Sequence, residues 1–406
     1  MIDKAKKTLQ PLINIYHFFR AWLVNAWFGF PARRLMVIGI TGTDGKTTTT
    51  HLTYHVLKSA GRKVSMISTV YAKIAGQEFD TGFHVTTPDA YMVAKYLKMA
   101  ADRGDEYFVL ETTSHRLDQN QLTGIGFKAG IITNITHEHL DYHGKYENYV
   151  AAKKKLLDMS RIRIVNRDDG SYELLKSLSG LKTYGFKNTA DFSRNFAGEI
   201  TGFNKYNYLA AYSVCHELGI TDQEFEDALK TFELPKGRLE KVYDKKFRVV
   251  IDFAHTPNAF LKLLPDMRKA YVEDGANLIH VFGSAGLRDQ TKRPLMGEAS
   301  GSYSDKVILT EEDYRTEDAM EICRQIASGL KSKGFDLVGY DKLSGKQKGY
   351  SIILNREKAI RTAIVIAKPG DLVLITGKSH EKSLARGKSE YPYSEHEAVK
   401  KALESL

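Results

Sequence analysis

The amino-acid sequence predicts an α/β fold with two domains, a central one built on a mostly parallel sheet and a C-terminal, Rossmann-like one. From residue 36 to about residue 232, short apolar runs alternate with helical stretches, which is typical of a parallel sheet flanked by helices. The alternation stops at Leu-Pro-Lys-Gly (residues 234–237) and then starts again. We therefore expect an N-terminal segment at residues 1–35, a central domain at 36–233 and a C-terminal domain at 237–406.

The apolar runs and the helical stretches between them place the elements of both domains. In the central domain, strands are predicted at residues 36–41, 64–69, 107–111, 129–133 and 162–165, and helices at 47–59, 147–158 and 204–218. In the C-terminal domain, strands are predicted at 247–253, 278–282, 306–310 and 372–376, and helices from Pro257 and at 317–330, 356–367 and 394–404. Gly219 is expected to end the last helix of the central domain.

Composition and charge narrow the class of partner. The chain has 406 residues, of which 42% are hydrophobic and 27% charged, so we expect it to fold rather than stay disordered. Its net charge of +10 favours anionic partners: a nucleotide, a phosphorylated or carboxylated substrate, or an anionic membrane surface. No basic tract interleaved with aromatic residues occurs, so we expect no nucleic-acid partner. Cys215 and Cys323 have no partner motif, which fits a cytoplasmic protein.

Residues 12–30 are strongly apolar and hold both tryptophans of the chain. Polar residues interrupt the run and no small-residue cleavage site follows it, which argues against a signal peptide and against a membrane-spanning helix. The interrupting residues are Asn14, His17, Arg20 and Asn25, and the basic residues around the run are Lys4, Lys6, Lys7, Arg33 and Arg34. This composition suits a helix that lies in a membrane interface. The alternative is a helix that packs on the body of the protein, and both interpretations stay open.

A glycine-bearing turn follows the first predicted strand, in the stretch VIGITGTDGKTTTT at residues 37–50. Glycines let backbone N–H groups close on a phosphate, and the N-terminus of the following helix adds partial positive charge there. Lys46 can reach the outer phosphates of a nucleotide, and the Thr47 hydroxyl can ligate Mg²⁺. The usual P-loop pattern has a glycine where this chain has Ile40, and Gly42 comes two residues later instead. We predict a nucleotide-phosphate site; the alternative is a tight turn with a solvated lysine.

Several polar clusters come after this loop, at the strand ends where open α/β sheets hold their ligands. In chain order they are His84-Val85-Thr86-Thr87-Pro88, Glu111-Thr112-Thr113-Ser114-His115, Thr133-Asn134, His137-Glu138-His139-Leu140-Asp141-Tyr142-His143-Gly144 and Ala151-Ala152-Lys153. Each cluster alone is equally consistent with a solvated turn or helix face. Their order behind a P-loop is the stronger signal and predicts a shared ligand site.

Taken in order, these motifs resemble those of the Mur ligases of peptidoglycan synthesis, and within that family the MurE-type ligases. In the first half the matching residues are the glycine loop up to Thr47, Glu111, Ser114-His115, His139-Leu140-Asp141, His143-Gly144 and Ala152-Lys153. The match continues with Phe203-Asn204, Asn207, Leu209-Ala210-Ala211, Gly237-Arg238, Glu240, Asp252-Phe253-Ala254-His255-Thr256-Pro257, Phe282-Gly283, Arg288-Asp289, Lys292-Arg293-Pro294 and Gly377-Lys378-Ser379-His380-Glu381. The resemblance covers the chain from about Met36 to its C-terminus.

The resemblance implies a ligase that forms an amide bond through an acyl phosphate, with ATP and Mg²⁺ as cofactors. The residues that it implies in ATP binding are Gly42, Thr43, Asp44, Gly45, Lys46, Thr47, Thr48, Asn204, Asn207, Arg238, Asp252 and His255. Thr47 and Glu111 would hold one Mg²⁺ and His139 a second. Lys153 would become a carbamate, because Mg²⁺ takes oxygen ligands and repels an ammonium. Lys46, Glu111, His139 and Lys153 would form the catalytic set, and the nucleotide site would close between the domains.

The resemblance also implies an acceptor of the muramoyl-L-Ala-D-Glu type and an amino acid that is added to it. The residues that it implies in binding these substrates are Thr86, Thr87, Ser114, His115, Arg288, Glu312, Asp313, Arg315, Gly377 and Glu381. Glu312-Asp313-Tyr314-Arg315 stands where enzymes that add meso-diaminopimelate have Asp-Asn-Pro-Arg. Arg315 can pair with the distal carboxylate of that amino acid, so we expect meso-diaminopimelate rather than L-lysine.

The chain departs from the MurE pattern at the acceptor site. The segment 1–35 stands where a MurE-type ligase has a whole domain for the uridine nucleotide, and Gln121 stands where an arginine would bind the acidic acceptor. We therefore expect the enzyme to bind the acceptor mainly through its peptide, whether the acceptor is carried on a nucleotide or on a lipid. We also expect the enzyme to be a monomer. Two other functions stay open: an amide ligase of the folylpolyglutamate or poly-γ-glutamate type, and a nucleotide-binding scaffold without catalysis.

Overall fold

The computed structural model of the chain describes residues 2–80, 86–136, 138, 140–196, 202–345 and 348–406. Two compact units divide the chain, residues 1–233 and residues 234–406. Each unit is built on its own sheet with helices packed against it. The α/β fold class, with a mostly parallel sheet in each half, is confirmed.

The first unit contains strands β1–β8 and helices α1–α9. The strands are β1 (Met36–Thr41), β2 (Val64–Ile67), β3 (Ala72–Ile74), β4 (Gln77–Phe79), β5 (Tyr107–Glu111), β6 (Phe127–Ile132), β7 (Ser160–Asn166) and β8 (Leu181–Tyr184). The helices are α1 (Ile2–Trp27), α2 (Lys46–Ser59), α3 (Ala90–Asp102), α4 (Ser114–Asp118), α5 (Leu140–His143), α6 (Tyr146–Asp158), α7 (Tyr172–Leu175), α8 (Gly202–Glu217) and α9 (Asp222–Leu229), with a 3₁₀ turn at Pro31–Arg34. The strand order is β4-β3-β2-β5-β1-β6-β7-β8.

Within this sheet, β2, β5, β1, β6, β7 and β8 run parallel, and β3 and β4 continue its edge as an antiparallel hairpin. The inner strands are apolar on both faces because helices cover both, which is why their sequences read as continuous hydrophobic runs. Ile38 and Ile40 point into a core with α2 and α8, and Val37 points into the opposite core with α3. The pairing of Ile40 with Glu111 and of Thr41 with Ile132 brings the carboxyl ends of β5, β1 and β6 together at one edge.

The second unit repeats this architecture with strands β9–β17 and helices α10–α14. The strands are β9 (Glu240–Asp244), β10 (Arg248–Asp252), β11 (Leu278–Phe282), β12 (Lys306–Leu309), β13 (Asp336–Leu337), β14 (Gly349–Ile352), β15 (Leu372–Thr376), β16 (Ser383–Arg386) and β17 (Ser389–Pro392). The helices are α10 (Pro257–Tyr271), α11 (Lys292–Tyr303), α12 (Ala319–Lys331), α13 (Arg356–Ile366) and α14 (Glu395–Glu404), with a 3₁₀ turn at Leu343–Gly345. The strand order is β13-β14-β12-β11-β15-β10-β9, parallel except for β9, and β16 and β17 form a separate hairpin.

All strands and helices that the sequence predicted are present, with ends that differ by at most a few residues. The predicted strand 129–133 begins earlier, at Phe127, and the predicted helix 317–330 begins later, at Ala319, where the Asp318 side chain caps the helix. The strands that the sequence analysis left out are β3, β4, β8, β9, β13, β14, β16 and β17. Most of these lie at sheet edges, where short segments pair without a long apolar run.

Helix α1 packs on the first unit through Ala21 and Asn25, which are buried. Asn25 Nδ2 donates to the carbonyl of Thr123 at 3.0 Å, and Arg20 Nη2 forms an ion pair with Asp89 at 2.8 Å. In the part of the chain that the structure describes, no helix is both long enough and apolar enough to cross a membrane. One face of α1 therefore packs on the first unit, as one of the two interpretations of residues 12–30 expected.

Arg356 and Glu395 form a buried ion pair in the second unit, between the first turns of α13 and α14. Neither side chain is exposed, and two hydrogen bonds join them, Nε to Oε2 at 2.9 Å and Nη2 to Oε1 at 2.6 Å. Arg356 Nη2 also donates to the carbonyl of Thr376 at 2.7 Å. The bidentate ion pair neutralises both charges, and the hydrogen bond to Thr376 connects the two helices to the end of β15.

We predict that Glu395→Gln destabilises the second unit by about 3–5 kcal/mol, because it leaves the Arg356 charge buried without its counter-ion. Native-state hydrogen exchange of the β15 amides measures the change, and Arg356→Met with Glu395→Leu together should cost much less than Glu395→Gln alone. Lys230→Gln, which breaks the exposed pair with Asp227, is the control and should change nothing measurable. Equal exchange rates in the wild type and in Glu395→Gln would contradict the prediction.

Candidate active site

A tight turn between β1 and α2 forms the centre of the candidate site. Gly45 is the N-cap of α2 and has φ +83°, a left-handed conformation that glycine adopts without strain. A Cβ atom at this position would lie 2.0 Å from Oδ1 of Asn207, so the turn approaches α8 too closely for any side chain. The first N–H groups of α2 consequently remain available to an anion.

Residues at the end of β6 hold the turn in place. Thr133 Oγ1 donates to the carbonyl of Asp44 at 2.7 Å, and Asn134 Nδ2 donates to the same carbonyl at 2.9 Å. Asn134 also accepts from the Asp44 N–H at 3.0 Å through Oδ1 and from the Thr43 N–H at 2.8 Å through its own carbonyl. The sequence analysis noted Thr133 and Asn134 but gave them no role; they clamp the turn from the neighbouring strand.

Glu111, at the end of β5, has a buried carboxylate that accepts hydrogen bonds from two threonine hydroxyls, with a third threonine hydroxyl beside them. Thr47 Oγ1 donates to Oε1 at 3.0 Å, and Thr69 donates to the same oxygen at 2.8 Å and, through its N–H, to Oε2 at 2.9 Å. Thr69 Oγ1 also lies 3.1 Å from Thr86 Oγ1. Carboxylate and hydroxyl oxygens are ligands that Mg²⁺ prefers, so this cluster fits that ion. Thr69, predicted only as the end of a strand, is a site residue that the sequence analysis missed.

Two lysine amines converge on the carbonyl oxygen of Gly42. Lys46 Nζ donates to it at 3.1 Å and to the Thr43 carbonyl at 2.8 Å, while Lys153 Nζ donates to it at 2.6 Å from α6. Lys153 is fully buried. Burial lowers the pKa of its amine well below the ordinary value, and the positive charge of Lys46 lowers that pKa further. An amine held in this way is easily deprotonated, unlike the amine of a solvated surface lysine.

Tyr149 connects the turn to the histidine-rich loop. Its hydroxyl lies 3.1 Å from Thr43 Oγ1, its ring lies 4.6 Å below Lys153 Nζ, and its ring centroid lies 5.0 Å from that of His143. His143 Nε2 in turn lies 3.1 Å from Ser114 Oγ. Burial lowers the pKa of His143 to about 4, with the neighbouring His115 as a second cause, so the ring is neutral at physiological pH.

The predicted metal ligand His139 lies outside the described residues, as do His84, Val85 and His137. Among the residues that are described, no group of three or more His, Cys, Asp or Glu side chains stands ready to hold a metal ion. The oxygen cluster at Glu111 differs from such a group because most of the oxygens that could ligate a metal ion there belong to threonine hydroxyls.

Thr87, Ser114 and His115 lie on the same side of the first unit as the turn. Thr87 Oγ1 donates to the carbonyl of Glu111 at 2.9 Å and accepts from the Thr113 N–H at 3.0 Å, which ties it to the end of β5. The His115 ring lies against the ring of Tyr142, with 4.3 Å between centroids. Of the residues predicted to bind the acceptor, Ser114 and His115 therefore follow Glu111 closely in the chain, and Thr87 is hydrogen-bonded to it.

Arg116 lies beside Gln121, the residue that stands in place of an expected arginine. Arg116 Nη1 donates to Gln121 Oε1 at 2.7 Å, and Arg116 Nε donates to the carbonyl of Thr87 at 3.0 Å. The Arg116 guanidinium thus lies beside the position at which the resemblance implies a positive charge, although Arg116 comes five residues before Gln121 in the chain. The sequence analysis missed Arg116, although an arginine within the Ser-His helix α4 was a visible signal.

Asn204 and Asn207 lie on α8 next to the turn. Both are buried, and Asn207 Nδ2 donates to Asn204 Oδ1 at 2.8 Å. Asn207 accepts from Thr49 Oγ1 at 3.5 Å through its carbonyl, and Thr48 is buried on the same first turn of α2. The structure therefore brings the nucleotide residues predicted in the first unit together around Gly45.

In the second unit, Arg238, Asp252 and His255 surround Phe253. The Arg238 guanidinium lies 4.5 Å above the Phe253 ring, whose centroid is 4.9 Å from that of His255. Asp252, at the end of β10, accepts from the N–H groups of Leu239 at 2.9 Å and Ala254 at 2.8 Å. Burial raises the pKa of Asp252, and the charge of Arg238 opposes that shift. This arrangement of a flat ring and a guanidinium suits a planar, electron-rich ligand such as a base.

The predicted amino-acid residues lie at the carboxyl ends of β11, β12 and β15. Gly377 has φ +110°, and a Cβ atom on it would lie 2.7 Å from Glu312 Oε2. That oxygen is buried and has no hydrogen-bond partner among the residues that the structure describes, and burial raises the pKa of Glu312. Arg315 donates to the carbonyl of Gly286 at 2.8 Å, while Arg288, two residues further along that loop, is exposed.

Asp313 and Glu381 both contact the buried amine of Lys378. The Nζ atom lies 2.8 Å from Asp313 Oδ1 and 2.5 Å from Glu381 Oε2. Asp313 Oδ1 also accepts from the Ala385 N–H at 2.9 Å. Asp313 and Glu381 therefore each have an ion-pair partner, which leaves Glu312 as the carboxylate of this set whose buried oxygen lacks a partner among the described residues.

The first unit thus has the fold and the turn of a P-loop nucleotide-binding protein. Comparison with known protein families matches the chain to the Mur ligase middle domain over residues 40–209 and to the "Mur ligase, glutamate ligase domain" over residues 237–379. The chain belongs to the Mur ligase family and is an enzyme of the ligase class, as the motifs predicted.

Curated relatives in this family include enzymes of the MurE type. The UDP-N-acetylmuramoyl-L-alanyl-D-glutamate–2,6-diaminopimelate ligase of Aquifex aeolicus is 38% identical, over 93% of this chain and 80% of that protein. The UDP-N-acetylmuramyl-tripeptide synthetase of Roseiflexus sp. is 35% identical, over 95% of this chain and 81% of that protein.

Solved structures with the same fold include a UDP-N-acetylmuramoyl-L-alanyl-D-glutamate–2,6-diaminopimelate ligase, at 28% identity and a TM-score of 0.59 over 91% of this chain and 78% of that one. E. coli FolC in complex with DHPP and ADP has a TM-score of 0.67 over 89% of this chain and 90% of that one. Its identity is only 20%, so this similarity establishes the shared fold alone.

We predict that Gly45→Ala weakens ADP binding by at least about tenfold, because it combines a left-handed φ with a clash against Asn207. Isothermal titration calorimetry measures the affinity. Gly61→Ala is the matched control, since Gly61 has φ +74° but nothing lies within 4 Å of its Cβ position. It should cost about 1–2 kcal/mol of stability and leave ADP affinity unchanged. Wild-type affinity in Gly45→Ala would contradict the role of the turn.

Proposed function

We propose that this chain is an ATP-dependent peptide ligase that adds an amino acid to a muramoyl-L-Ala-D-Glu-type acceptor in peptidoglycan synthesis. The observation that carries the proposal is the convergence of Lys46 and Lys153 on the phosphate-binding turn beside the Glu111 oxygen cluster. The name of the Aquifex relative supports a muramoyl-L-alanyl-D-glutamate acceptor and 2,6-diaminopimelate as the amino acid. The reaction takes place in the cytoplasm, where ATP is available, and the enzyme acts as a monomer.

Residues 36–233 form the ATP-binding domain in this proposal, and residues 237–406 receive the amino acid. The acceptor carboxylate attacks the γ-phosphate of ATP, ADP leaves, and the amine of the incoming amino acid then displaces phosphate. Phosphoryl transfer of this kind depends mainly on positioning and on neutralising the phosphate charge. The N–H groups of the turn and the Lys46 ammonium provide both. Lys46 would exchange its two carbonyl contacts for phosphate oxygens, which are stronger acceptors.

Thr47 and Glu111 would hold one Mg²⁺, with Thr69 orienting the carboxylate, and His139 a second. When bound, Mg²⁺ offsets the negative charge that builds up on the phosphates. Thr69 contacts both oxygens of Glu111, one through its hydroxyl and one through its N–H, and thereby fixes the plane of the carboxylate. Glu111 and the residues that hold the turn, Thr133 and Asn134, thus lie at the ends of strands of the same sheet.

Lys153 is the residue whose chemistry must change for this site to work. A buried ammonium beside Lys46 would repel a divalent cation, so the residue is useful only as another species. The neutral Nζ attacks CO₂, a proton leaves, and the resulting carbamate carries two oxygens and a negative charge in place of an ammonium. Burial and the neighbouring Lys46 charge favour the neutral amine that this step requires.

Arg116 would bind the acidic end of the acceptor peptide, together with Thr86, Thr87, Ser114 and His115. Its guanidinium is half-buried and fixed by Gln121 and by the carbonyl of Thr87, and such a fork pairs well with a carboxylate. It supplies the positive charge that Gln121 lacks. The D-Glu carboxylates are the groups of the acceptor that need such a charge.

Glu312 and Arg315 would select the incoming amino acid. The unpartnered, buried oxygen of Glu312 suits an amine, since an N–H donor would satisfy it. Glu381 is already paired with Lys378 and would act by fixing that lysine. Arg315 would pair with a second carboxylate, which meso-diaminopimelate has and L-lysine lacks, with the exposed Arg288 and the turn at Gly377 completing the pocket.

We expect the purified enzyme to release ADP from ATP and Mg²⁺ when a muramoyl-L-Ala-D-Glu acceptor and meso-diaminopimelate are both present, and less readily with L-lysine. Lys46→Ala and Lys153→Ala should each reduce this release by roughly 100- to 1,000-fold. Propionate should partly restore Lys153→Ala, because its carboxylate replaces the carbamate, and should not restore Lys46→Ala. Lys154→Ala is the control, since Lys154 pairs with Asp158 at the surface. Full activity of Lys153→Ala without added acid would refute the carbamate.

Arg116→Gln should raise the KM for the acceptor at least about tenfold and leave the KM for ATP unchanged, because a charge paired with the peptide is lost. Steady-state kinetics with each substrate varied in turn measures this. Gln121→Arg, added to Arg116→Gln, should recover part of the acceptor affinity, since it returns the charge to the same neighbourhood. A rise in the KM for ATP instead, or no recovery in the double variant, would assign Arg116 a structural role.

A further inference from the structure

Helix α1 has its polar and apolar faces reversed relative to the usual surface helix. A surface helix normally turns its apolar stripe to the core and its polar face to water. Here the most buried of the described side chains are small or polar: Ala21 and Asn25 are buried, and Asn14 Nδ2 lies 3.5 Å from Asp118 Oδ2. The helix is attached by hydrogen bonds and by the Arg20–Asp89 ion pair at 2.8 Å.

The outward face of α1 is a continuous apolar stripe. It consists of Leu12, Ile15, Tyr16, Phe19, Trp22, Leu23 and Trp27, at the three- and four-residue spacing of one helix side. These side chains are between 47% and 87% exposed. A run of large exposed side chains of this kind marks an interaction surface, whereas single exposed hydrophobic residues are ordinary.

The apolar surface continues beyond the helix. Phe18 lines a hollow of about 580 Å³ together with Leu122, Ile125 and Met159, and Trp22 contacts the ring of Phe30 edge-on at 5.9 Å. Such a hollow has the size and polarity to admit an aliphatic chain. The surface is therefore an apolar area rather than a single ridge.

The segment that contains α1 is basic in sequence, and two of its basic residues, Arg20 and Arg34, pair with Asp89 and Asp102. Residues 4–43 contain no aspartate or glutamate, and their six basic residues are Lys4, Lys6, Lys7, Arg20, Arg33 and Arg34. Basic residues beside an apolar, aromatic helix complement the negative surface of a bilayer that contains anionic lipid. A second copy of the same chain would bring like charges together and would be repelled.

The types of residue in the stripe also favour a membrane over a second copy. Tryptophan and tyrosine rings settle at the level of lipid headgroups, with their apolar body below and their polar atom in water. A paired-helix seam would instead be expected to carry branched aliphatic residues at its central positions. Helix α1 has 26 residues and is about 39 Å long, so it presents a long edge that can lie in the plane of an interface.

We propose that α1 docks this enzyme on the surface of a bilayer containing anionic phospholipid, with the stripe from Leu12 to Trp27 immersed among the headgroups and the polar face still attached to the first unit. The helix contacts Asp89 and Asp118, which flank Thr87 and the helix that begins at Ser114. Docking by this face would therefore bring the acceptor side of the first unit near the bilayer. The proposal does not depend on the ligase reaction.

The two tryptophans of the chain, Trp22 and Trp27, both belong to the stripe, so intrinsic tryptophan fluorescence reports on it alone. We titrate the full chain with vesicles of phosphatidylcholine alone and of an equimolar mixture with phosphatidylglycerol. The mixed vesicles should shift the emission to the blue, and lipids brominated on their acyl chains should quench it. Raising the ionic strength to about 1 M, where the Debye length is about 3 Å, should weaken binding at least about tenfold.

Phe19→Ser with Leu23→Ser should lower the vesicle affinity at least about tenfold, because both side chains are more than half exposed and only the membrane would bury them. Leu337→Ser with Val365→Ser, which changes two equally exposed residues of the second unit, is the matched control and should bind like the wild type. Circular dichroism and ADP affinity should be unchanged in all variants.

An unchanged spectrum with both kinds of vesicle would overturn the proposal, as would equal binding of Phe19→Ser/Leu23→Ser and the wild type. Sedimentation velocity without lipid provides a further test. A concentration-dependent dimer that Phe19→Ser/Leu23→Ser abolishes would show that the stripe joins two copies of the chain instead. Vesicle binding needs neither ATP nor acceptor, so failure here and failure of the ligase assay are separate results.

Discussion

The turn between β1 and α2 exists because three parallel strands end at the same edge of the first sheet. A four-residue turn with a left-handed glycine cannot satisfy all of its own backbone polar groups. Where these groups are shielded from water, they need partners from elsewhere in the fold. Here the turn is fixed by Thr133 and Asn134 from the end of β6, and the Glu111 carboxylate, which accepts a hydrogen bond from Thr47, lies at the end of β5. The strand order β5-β1-β6 is therefore a structural requirement of the site.

Electrostatics explains why the basic groups lie where they do. Lys46 and Lys153 share one carbonyl acceptor, and two ammonium groups at that distance in a buried place repel each other. In the proposed reaction, a bound triphosphate would relieve part of this repulsion, and conversion of Lys153 to a carbamate would relieve the rest. The second unit uses the opposite arrangement at Lys378, where two carboxylates surround one amine.

The two units illustrate different ways of holding a charged group. Arg356 and Glu395 are buried, bidentate and fully satisfied, which makes them a structural pair. Glu312 is also buried, yet one of its oxygens has no partner among the described residues, and a carboxylate in that state costs free energy until a donor binds it. Within one unit, the hydrogen-bond partners of a buried charge thus distinguish a residue that holds the fold from the residue that we propose to bind a substrate.

The sequence by itself was sufficient to predict the α/β class, the inner strands and the glycine-bearing turn. These features depend on local signals, namely unbroken apolar runs, glycines and the residues that follow them. It was also sufficient for the family, because many ordered motifs agree. The roles of Thr69, Asn134 and Arg116 were decided only by tertiary structure, since each acts across strands on residues distant in the chain. The same holds for α1: its composition was plain in the sequence, but which face meets the protein and which meets the surroundings depends on where Ala21 and Asn25 find their contacts.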